Sequence, residues 1–285
     1  MQIVITGANG FIGRNLKVAF QQKGWEVIPL PRADFDLGTG HLAQKISGAD
    51  VVINLAGAPI VHRWSATYKE ELRNSRIITT ERLVDAMAVA SQVPKLFIST
   101  SAIGIYAAEG RHTELVNKLA GDFIGKLCAD WETEAEVAAS FTRTVIFRLG
   151  IVLAKDGGAL PKMALPFRLG VGGKIGSGKQ EFSWIHLQDL ISAYIFMIEN
   201  SQYSGVFNLT SPESCDNLRF TQTIARILNR PAFFTVPVFA LKLIYGEGAI
   251  AVSGGQIAIP ERLLSTGFQY KFPVLEDALK DIYCV

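Results

Sequence analysis

The chain has 285 residues, 49 % of them apolar and 19 % charged, a balance that belongs to a globular protein with a substantial core and room for one large domain or two unequal ones. With 28 basic and 26 acidic residues the formal charge is only +2 and no basic block occurs, so nothing advertises nucleic acid or a membrane surface as a partner. Three widely spaced cysteines without a C-x-x-C, four scattered histidines and no apolar run of spanning length point to a reduced, metal-free, cytoplasmic protein, with a strand-like run starting at residue 2 and no room ahead of it for a secretion signal.

Gln2-Ile3-Val4-Ile5-Thr6 reads as a strand buried on both faces. It runs straight into Gly7-Ala8-Asn9-Gly10-Phe11-Ile12-Gly13, and helical spacing follows from Asn15. In that context Gly7 suits the tight turn, Gly10 the close approach of a pyrophosphate, and Gly13 the close seating of helix on sheet, with the helix N-terminus facing the phosphates. The spacing is G-x-x-G-x-x-G rather than G-x-G-x-x-G, so the strand–turn–helix context carries the dinucleotide reading against that of a mere turn. A second strand over 26–30 ends in Pro31-Arg32, where the adenosine ribose of a bound dinucleotide would lie. An arginine there suits the 2′-phosphate of NADP(H). Asp34 and Asp36, close behind, are the acids that would serve the free 2′-hydroxyl of NAD(H), and Arg32 also reads as a solvated loop cation.

Residues 50–57 form the next buried strand and end in a small-residue turn; 62–76 are rich in aromatics and charge, and a helical pattern leads to Met87. A strand over 96–100 opens into Ser101 and Tyr106, 123–139 reads as a helix, and 144–153 as one more buried strand. Repeated βα units predict an α/β fold, a Rossmann-like doubly wound parallel sheet with right-handed crossovers. Beyond Lys155 the alternation is lost: 157–178 is glycine-rich, a late strand covers 206–210, and the tail mixes helical pieces with proline-punctuated loops. The expected organisation is a cofactor-binding domain over 1–210, with 156–190 as a flap or substrate-lobe insertion, and a small, mostly helical C-terminal lobe over 235–283.

Thr6 to Gly13, Asn54-Leu55-Ala56-Gly57, the run from Ser99 to Tyr106, and Gly176-Ser177-Gly178 with Trp184-Ile185-His186 and Asp189 resemble an extended short-chain dehydrogenase/reductase. Ala58-Pro59-Ile60, Arg63-Trp64, Ser75-Arg76, Trp131-Glu132, Gly157-Gly158-Ala159-Leu160, Gly172-Gly173, Ile259-Pro260 and Gly267-Phe268 narrow the resemblance to the atypical, YfcH-like epimerase family group, in order and over essentially the whole chain. That group joins an NAD-dependent epimerase/dehydratase domain to a small C-terminal domain of unknown function. The resemblance implies NADP(H) as cofactor, with Gly7, Gly10, Phe11, Ile12 and Gly13 as the phosphate turn and Arg32 at the 2′-phosphate. It also implies Leu55 and Ala56 beside the adenine-to-ribose passage, and Gly57, Glu71, Arg76 and Val152 as further cofactor positions. On the residues alone, Glu71 and Arg76 read as an exposed helix pair.

Ordinary members of the superfamily use a serine and a Tyr-x-x-x-Lys pair, the lysine depressing the tyrosine pKa so that the phenol exchanges a proton as hydride moves. Ser101 stands where the serine belongs. The tyrosine should open the helix that leads to Trp131-Glu132, yet Phe123 pairs with Leu127 in one register and Asp122 with Lys126 in the other, so neither supplies the pair. Such a loss is worth about 10²–10⁴-fold in rate. Tyr106 is the nearest phenol and His186 the other candidate acid. Arg63, Lys162, Arg168, Lys174 and Lys179 are candidate cations around a cleft for an anionic ligand, or simply solvated charges. Gly170, Gly172, Gly173, Gly176 and Gly178 suggest a mobile flap. Two functions remain open on this reading: an NADP(H)-dependent oxidoreductase or epimerase-like enzyme on an unidentified small molecule, or a non-catalytic NADP(H)-binding regulatory protein, a redox sensor or a cell-division-related partner. The helix over 123–139 lacks a clear apolar outer stripe, so monomer and homodimer are both expected forms.

Overall fold

The computed structural model describes residues 1–284. Six strands, β1 (Gln2–Thr6), β2 (Glu26–Leu30), β3 (Val51–Asn54), β4 (Leu96–Ala102), β5 (Arg143–Leu149) and β6 (Gly205–Leu209), form one sheet in the order β6-β5-β4-β3-β1-β2 with every neighbouring pair parallel. The helices between and after these strands are α1 (Phe11–Gln22), α2 (Thr39–Ile46), α3 (Ala66–Arg73), α4 (Thr79–Ala88), α5 (Phe123–Glu136), α6 (Leu160–Arg168) and α7 (Leu187–Glu199), of which α1, α2, α4, α5 and α7 cover the sheet. Their apolar stripes explain the continuous apolar strands. Ile3, Ile5, Ile53, Ile98 and Phe147 meet Leu16 and Phe20 of α1 and Leu190, Tyr194 and Met197 of α7. The residues between them, Val4, Val52, Phe97 and Ile146, meet Leu42 and Ile46 of α2, Leu83 and Met87 of α4, and Ala135 of α5. Successive side chains point to opposite faces, so a strand apolar at every position needs a helix on both sides. The strand order reverses between β1 and β3, which opens a crevice at their C-terminal ends.

The single strand expected over 144–153 is broken. β5 ends at Leu149, and Ile151–Leu153 pairs in parallel with Trp184–His186 instead. Gly150 is the point of departure, because a Cβ there would lie 2.8 Å from the carbonyl oxygen of Ser183. The redirected chain builds a second core, in which Leu153, Leu160, Phe167 and Trp184 pack with Phe220 of α8 (Asn217–Ile227), Phe272 and Leu279. Beyond α8 the chain is helical in short pieces, including α9 (Val238–Tyr245), none of whose side chains is buried, and α10 (Leu275–Tyr283). Two short pairings fasten this tail: Phe234–Val236 beside Gly173–Ile175, and Ile257–Ala258 beside Arg111–His112. The glycine-rich segment expected to form a flap thus supplies a strand edge to the tail.

Candidate functional site

The tips of β1 and β3 are polar although the strands are apolar, and those polar ends fix the crevice. The Thr6 hydroxyl donates to Asn54 Oδ1 (2.7 Å) and accepts the backbone N–H groups of Leu55 (3.1 Å) and Ala56 (3.2 Å). Asn54 in turn donates to the Thr80 hydroxyl (2.8 Å), which also takes the Trp131 indole N–H (2.9 Å) and donates to the carbonyl of Arg76 (2.6 Å). The turn after β3 is therefore held directly against the glycine turn after β1. Gly7 has φ +65°, and a Cβ on it would stand 2.7 Å from the Leu55 carbonyl oxygen. At Gly13 a Cβ would press on the Gly7 carbonyl and lie 2.7 Å from Ala8 Cα. The first turn of α1 carries neither a side-chain cap nor an acidic residue, so its orphan N–H groups are free for an anion. These features fit a dinucleotide pyrophosphate.

Beside the turn lies a cavity of about 660 Å³. It gathers Gly7, Gly10, Arg32, Ala56, Gly57 and Glu71 of the expected cofactor residues, together with Asp36, Asn74, Ser75 and Arg82. Leu55 contributes backbone against Gly7. Phe11 lies with its ring over Gly157 and Gly158, the latter also touching the carbonyl of Val152, so these residues form the far wall of the turn. Ile12 packs inward against the sheet core. Glu71 and Arg76 are not an exposed pair. Glu71 is exposed to the cavity, whereas Arg76 folds back, donates to the Ala58 carbonyl (2.9 Å) and lies 5.4 Å from the Trp131 ring centre. It props the loop after Gly57. The turn that sends it inward is a π-helix, Asn74–Ile78, inserted between α3 and α4. None of Arg63, Lys162, Arg168, Lys174 and Lys179 lines this cavity; Arg63 donates to the Leu243 carbonyl (3.0 Å), Arg168 covers the Tyr283 ring, and Lys162 and Lys179 are exposed elsewhere.

Ser101 and Tyr106 are brought together, but in a buried network. Ser101 donates to Glu132 Oε1 (2.6 Å), and the Glu132 carboxylate receives Arg148 through Nε (2.8 Å) and Nη2 (2.6 Å). Arg148 Nη1 donates to the Tyr106 hydroxyl (2.8 Å), which donates to Asn208 Oδ1 (2.8 Å). Relative exposures are 3 % for Ser101, 0 % for Tyr106, 5 % for Glu132 and 8 % for Arg148. Burial raises the Tyr106 pKa, and the neighbouring Arg148 only partly offsets it, so this phenol is held protonated. Burial opposes the charge on Arg148, yet the Glu132 carboxylate outweighs it and lifts the guanidinium above its ordinary range. Where a tyrosine and lysine would sit, Phe123 packs on Trp64 at 5.3 Å and Leu127 is buried; Asp122 caps α5 by accepting the Gly125 N–H (2.9 Å) and Lys126 is exposed. His186 is a cap as well. Its Nδ1 accepts the Gln188 N–H (3.1 Å), its ring lies 4.1 Å from that of Phe272, and burial lowers its pKa to about 4 against the pull of Asp281. Among the described residues no cluster of three His, Cys, Asp or Glu suits a metal, and no helix is long and apolar enough to cross a membrane.

The profile of the NAD dependent epimerase/dehydratase family matches residues 3–210, and that of a domain of unknown function (DUF1731) matches 236–282. The chain belongs to the NAD dependent epimerase/dehydratase family. The mouse epimerase family protein SDR39U1 is 37 % identical over 294 residues, spanning 99 % of both chains, and the epimerase family protein SSP1921 of Staphylococcus saprophyticus is 36 % identical over 292 residues, spanning 98 % of both. The crystal structure of human SDR39U1 (isoform 2) with NADPH superposes with a TM-score of 0.92 at 35 % identity, covering 99 % of each chain. Within the epimerase family frame, sequence reasoning missed Thr6, Asn54, Thr80 and Arg82. For the first two the available signal was a polar side chain at the C-terminal end of an apolar strand.

Proposed function

We propose that this chain is an NADP(H)-dependent oxidoreductase or epimerase-like enzyme acting on a small molecule. The carrying observation is the crevice between β1 and β3, where Thr6 and Asn54 clamp the Gly7 turn to the Ala56 turn above the uncapped start of α1. In this reading the pyrophosphate lies on the Gly7, Gly10 and Gly13 turn, Glu71 accepts from a ribose hydroxyl, and Arg32 faces the 2′-phosphate. The human relative crystallised with NADPH supports the same cofactor. The bound nicotinamide supplies hydride. Ser101, its proton directed at Glu132, accepts from a substrate hydroxyl, and Tyr106 holds Arg148 on Glu132 at one remove. With no phenol–lysine pair, proton exchange loses about 10²–10⁴-fold, which makes this a slow enzyme.

The commitment of both hydroxyls to the buried network favours a second reading, a regulatory protein that binds NADP(H) without turning it over. Two measurements decide. Thermal unfolding with NADPH or NADH at a hundred times the dissociation constant should show about 2.7 kcal/mol of stabilisation by NADPH, and absence of stabilisation by either rejects both readings. Loss of the reduced nicotinamide absorbance with any member of a panel of small carbonyl compounds and nucleotide sugars supports the enzyme; a bound cofactor inert to them all supports the regulator.

A further inference from the structure

Arg82 carries no distinction in the sequence, being an arginine in the first turn of an amphipathic helix. In the fold it belongs to the cofactor cavity. It lines the 660 Å³ crevice together with Arg32, Phe35 and Asp36, and it also borders an adjoining cavity of about 350 Å³ with Phe35, Asp36 and Thr39. Its guanidinium is anchored by one long bond, from Nη1 to the Phe35 carbonyl at 3.5 Å. Phe35 ends the short helical turn that Arg32 begins, so the two arginines meet opposite ends of one turn, a span of about 5 Å. Neither forms an ion pair with a carboxylate among the described residues. Both are exposed, and their remaining donors face the cavity or solvent.

The charge balance gives the second arginine its weight. Asp36 lines the same wall and Asp34 lies on the turn between Arg32 and Phe35, so with Arg32 alone this end of the crevice would be acidic, which disfavours a doubly charged phosphate. Arg82 offsets that acidic charge, and two planar guanidinium forks can take different oxygens of one phosphate. We infer that Arg82 is the second half of a two-arginine clamp on the 2′-phosphate, and that it, with Arg32, sets the preference for NADP(H) over NAD(H). The inference rests on the cofactor reading above and adds to it the residue that decides between the two dinucleotides.

The test is the pair of dissociation constants for NADPH and NADH, measured on the wild type, Arg32→Ala, Arg82→Ala and Arg82→Lys. Arg82→Ala should weaken NADPH about tenfold or more, the usual effect of losing a hydrogen bond to a charged group, while NADH changes less than about twofold. NADH binding thereby also reports that the variant is folded. Arg82→Lys, which keeps the charge and loses the fork, should fall between the two, and the NADPH affinity of Arg82→Ala should depend less steeply on salt than that of the wild type. A wild type that prefers NADPH while Arg82→Ala keeps the full preference, or weakens both cofactors alike, overturns the clamp and leaves the cofactor reading standing. A wild type without preference for NADPH overturns both.

Discussion

Replacement of Arg148 by alanine is the sharpest test of the buried network. Its guanidinium makes bonds of 2.8, 3.2 and 2.6 Å to Glu132 and one of 2.8 Å to the Tyr106 hydroxyl. After Arg148→Ala the Glu132 carboxylate, 5 % exposed, keeps only the Ser101 hydroxyl as donor. Removing one partner of a buried ion pair costs about 3–5 kcal/mol, because the remaining charge stays desolvated. For a chain of this size each kcal/mol corresponds to roughly 2–4 °C in Tm, so a fall of about 6–20 °C is expected. Urea unfolding, read for midpoint and slope separately, measures the loss directly. The double variant Arg148→Met with Glu132→Leu removes both charges and should recover part of the loss, since well-packed apolar substitutes for a buried pair are close to neutral while the Ser101 hydroxyl loses its acceptor. A cost below about 1 kcal/mol for Arg148→Ala at unchanged slope would refute the reasoning, because that is the value of an exposed pair.

Further outcomes follow at three positions. The His186 imidazole has its pKa lowered to about 4 by burial, against about 6.5 in the unfolded chain; the unfolded state therefore takes the proton first, and stability should fall by up to about 3 kcal/mol between pH 6.5 and 4, then level off. His186→Asn keeps a cap acceptor and should remove that slope from the Tm–pH curve, and an unchanged curve would mean that another group titrates there. Gly13→Ala should abolish stabilisation by NADPH and lower the Tm without cofactor, since its Cβ meets the backbone of Gly7 and Ala8. Gly40→Ala, a helical position with nothing near the added methyl, should instead gain about 0.4–1 kcal/mol.

What could be read before the fold was known follows the range of the interactions involved. The run from β1 through Gly7 and Gly13 into α1 is specified by neighbours in sequence, so the change from alternating to helical spacing reveals it. The parallel sheet follows from repetition of that unit. The break at Gly150 does not, because its cause is a carbonyl at Ser183, and a glycine inside an apolar run is equally compatible with a continuous strand. The π-turn at Asn74–Ile78 was hidden for a related reason: one extra residue in a helical turn leaves the apolar pattern almost unchanged, yet it turns Arg76 away from solvent and under the Gly57 loop. Arg148 lies in a run that reads as a buried strand, and only the fold brings Glu132 from α5 beneath it. The two-residue strand at Ile257–Ala258 is fixed entirely by its distant partner at Arg111–His112.

That last pairing bears on why a C-terminal segment accompanies a sheet without the Tyr-x-x-x-Lys pair. Asn208, which holds the Tyr106 hydroxyl, donates its own amide to the Ile259 carbonyl (2.9 Å), and Thr210 donates to the Ala258 carbonyl (2.8 Å). Glu114 spans the same gap, accepting the N–H groups of Asn208 (2.7 Å) and Arg262 (3.3 Å). The chain of bonds from Ser101 through Glu132, Arg148, Tyr106 and Asn208 thus ends on backbone of the tail. A lysine on the tyrosine's own helix would orient a phenol locally; here the bonds that begin at Ser101 reach a residue more than 150 positions away in sequence. Asn208 and Thr210 keep these partners only while the tail is docked, and an unsatisfied buried polar group costs about 1–3 kcal/mol. The segment around Ile259 is for that reason part of the frame that holds the site.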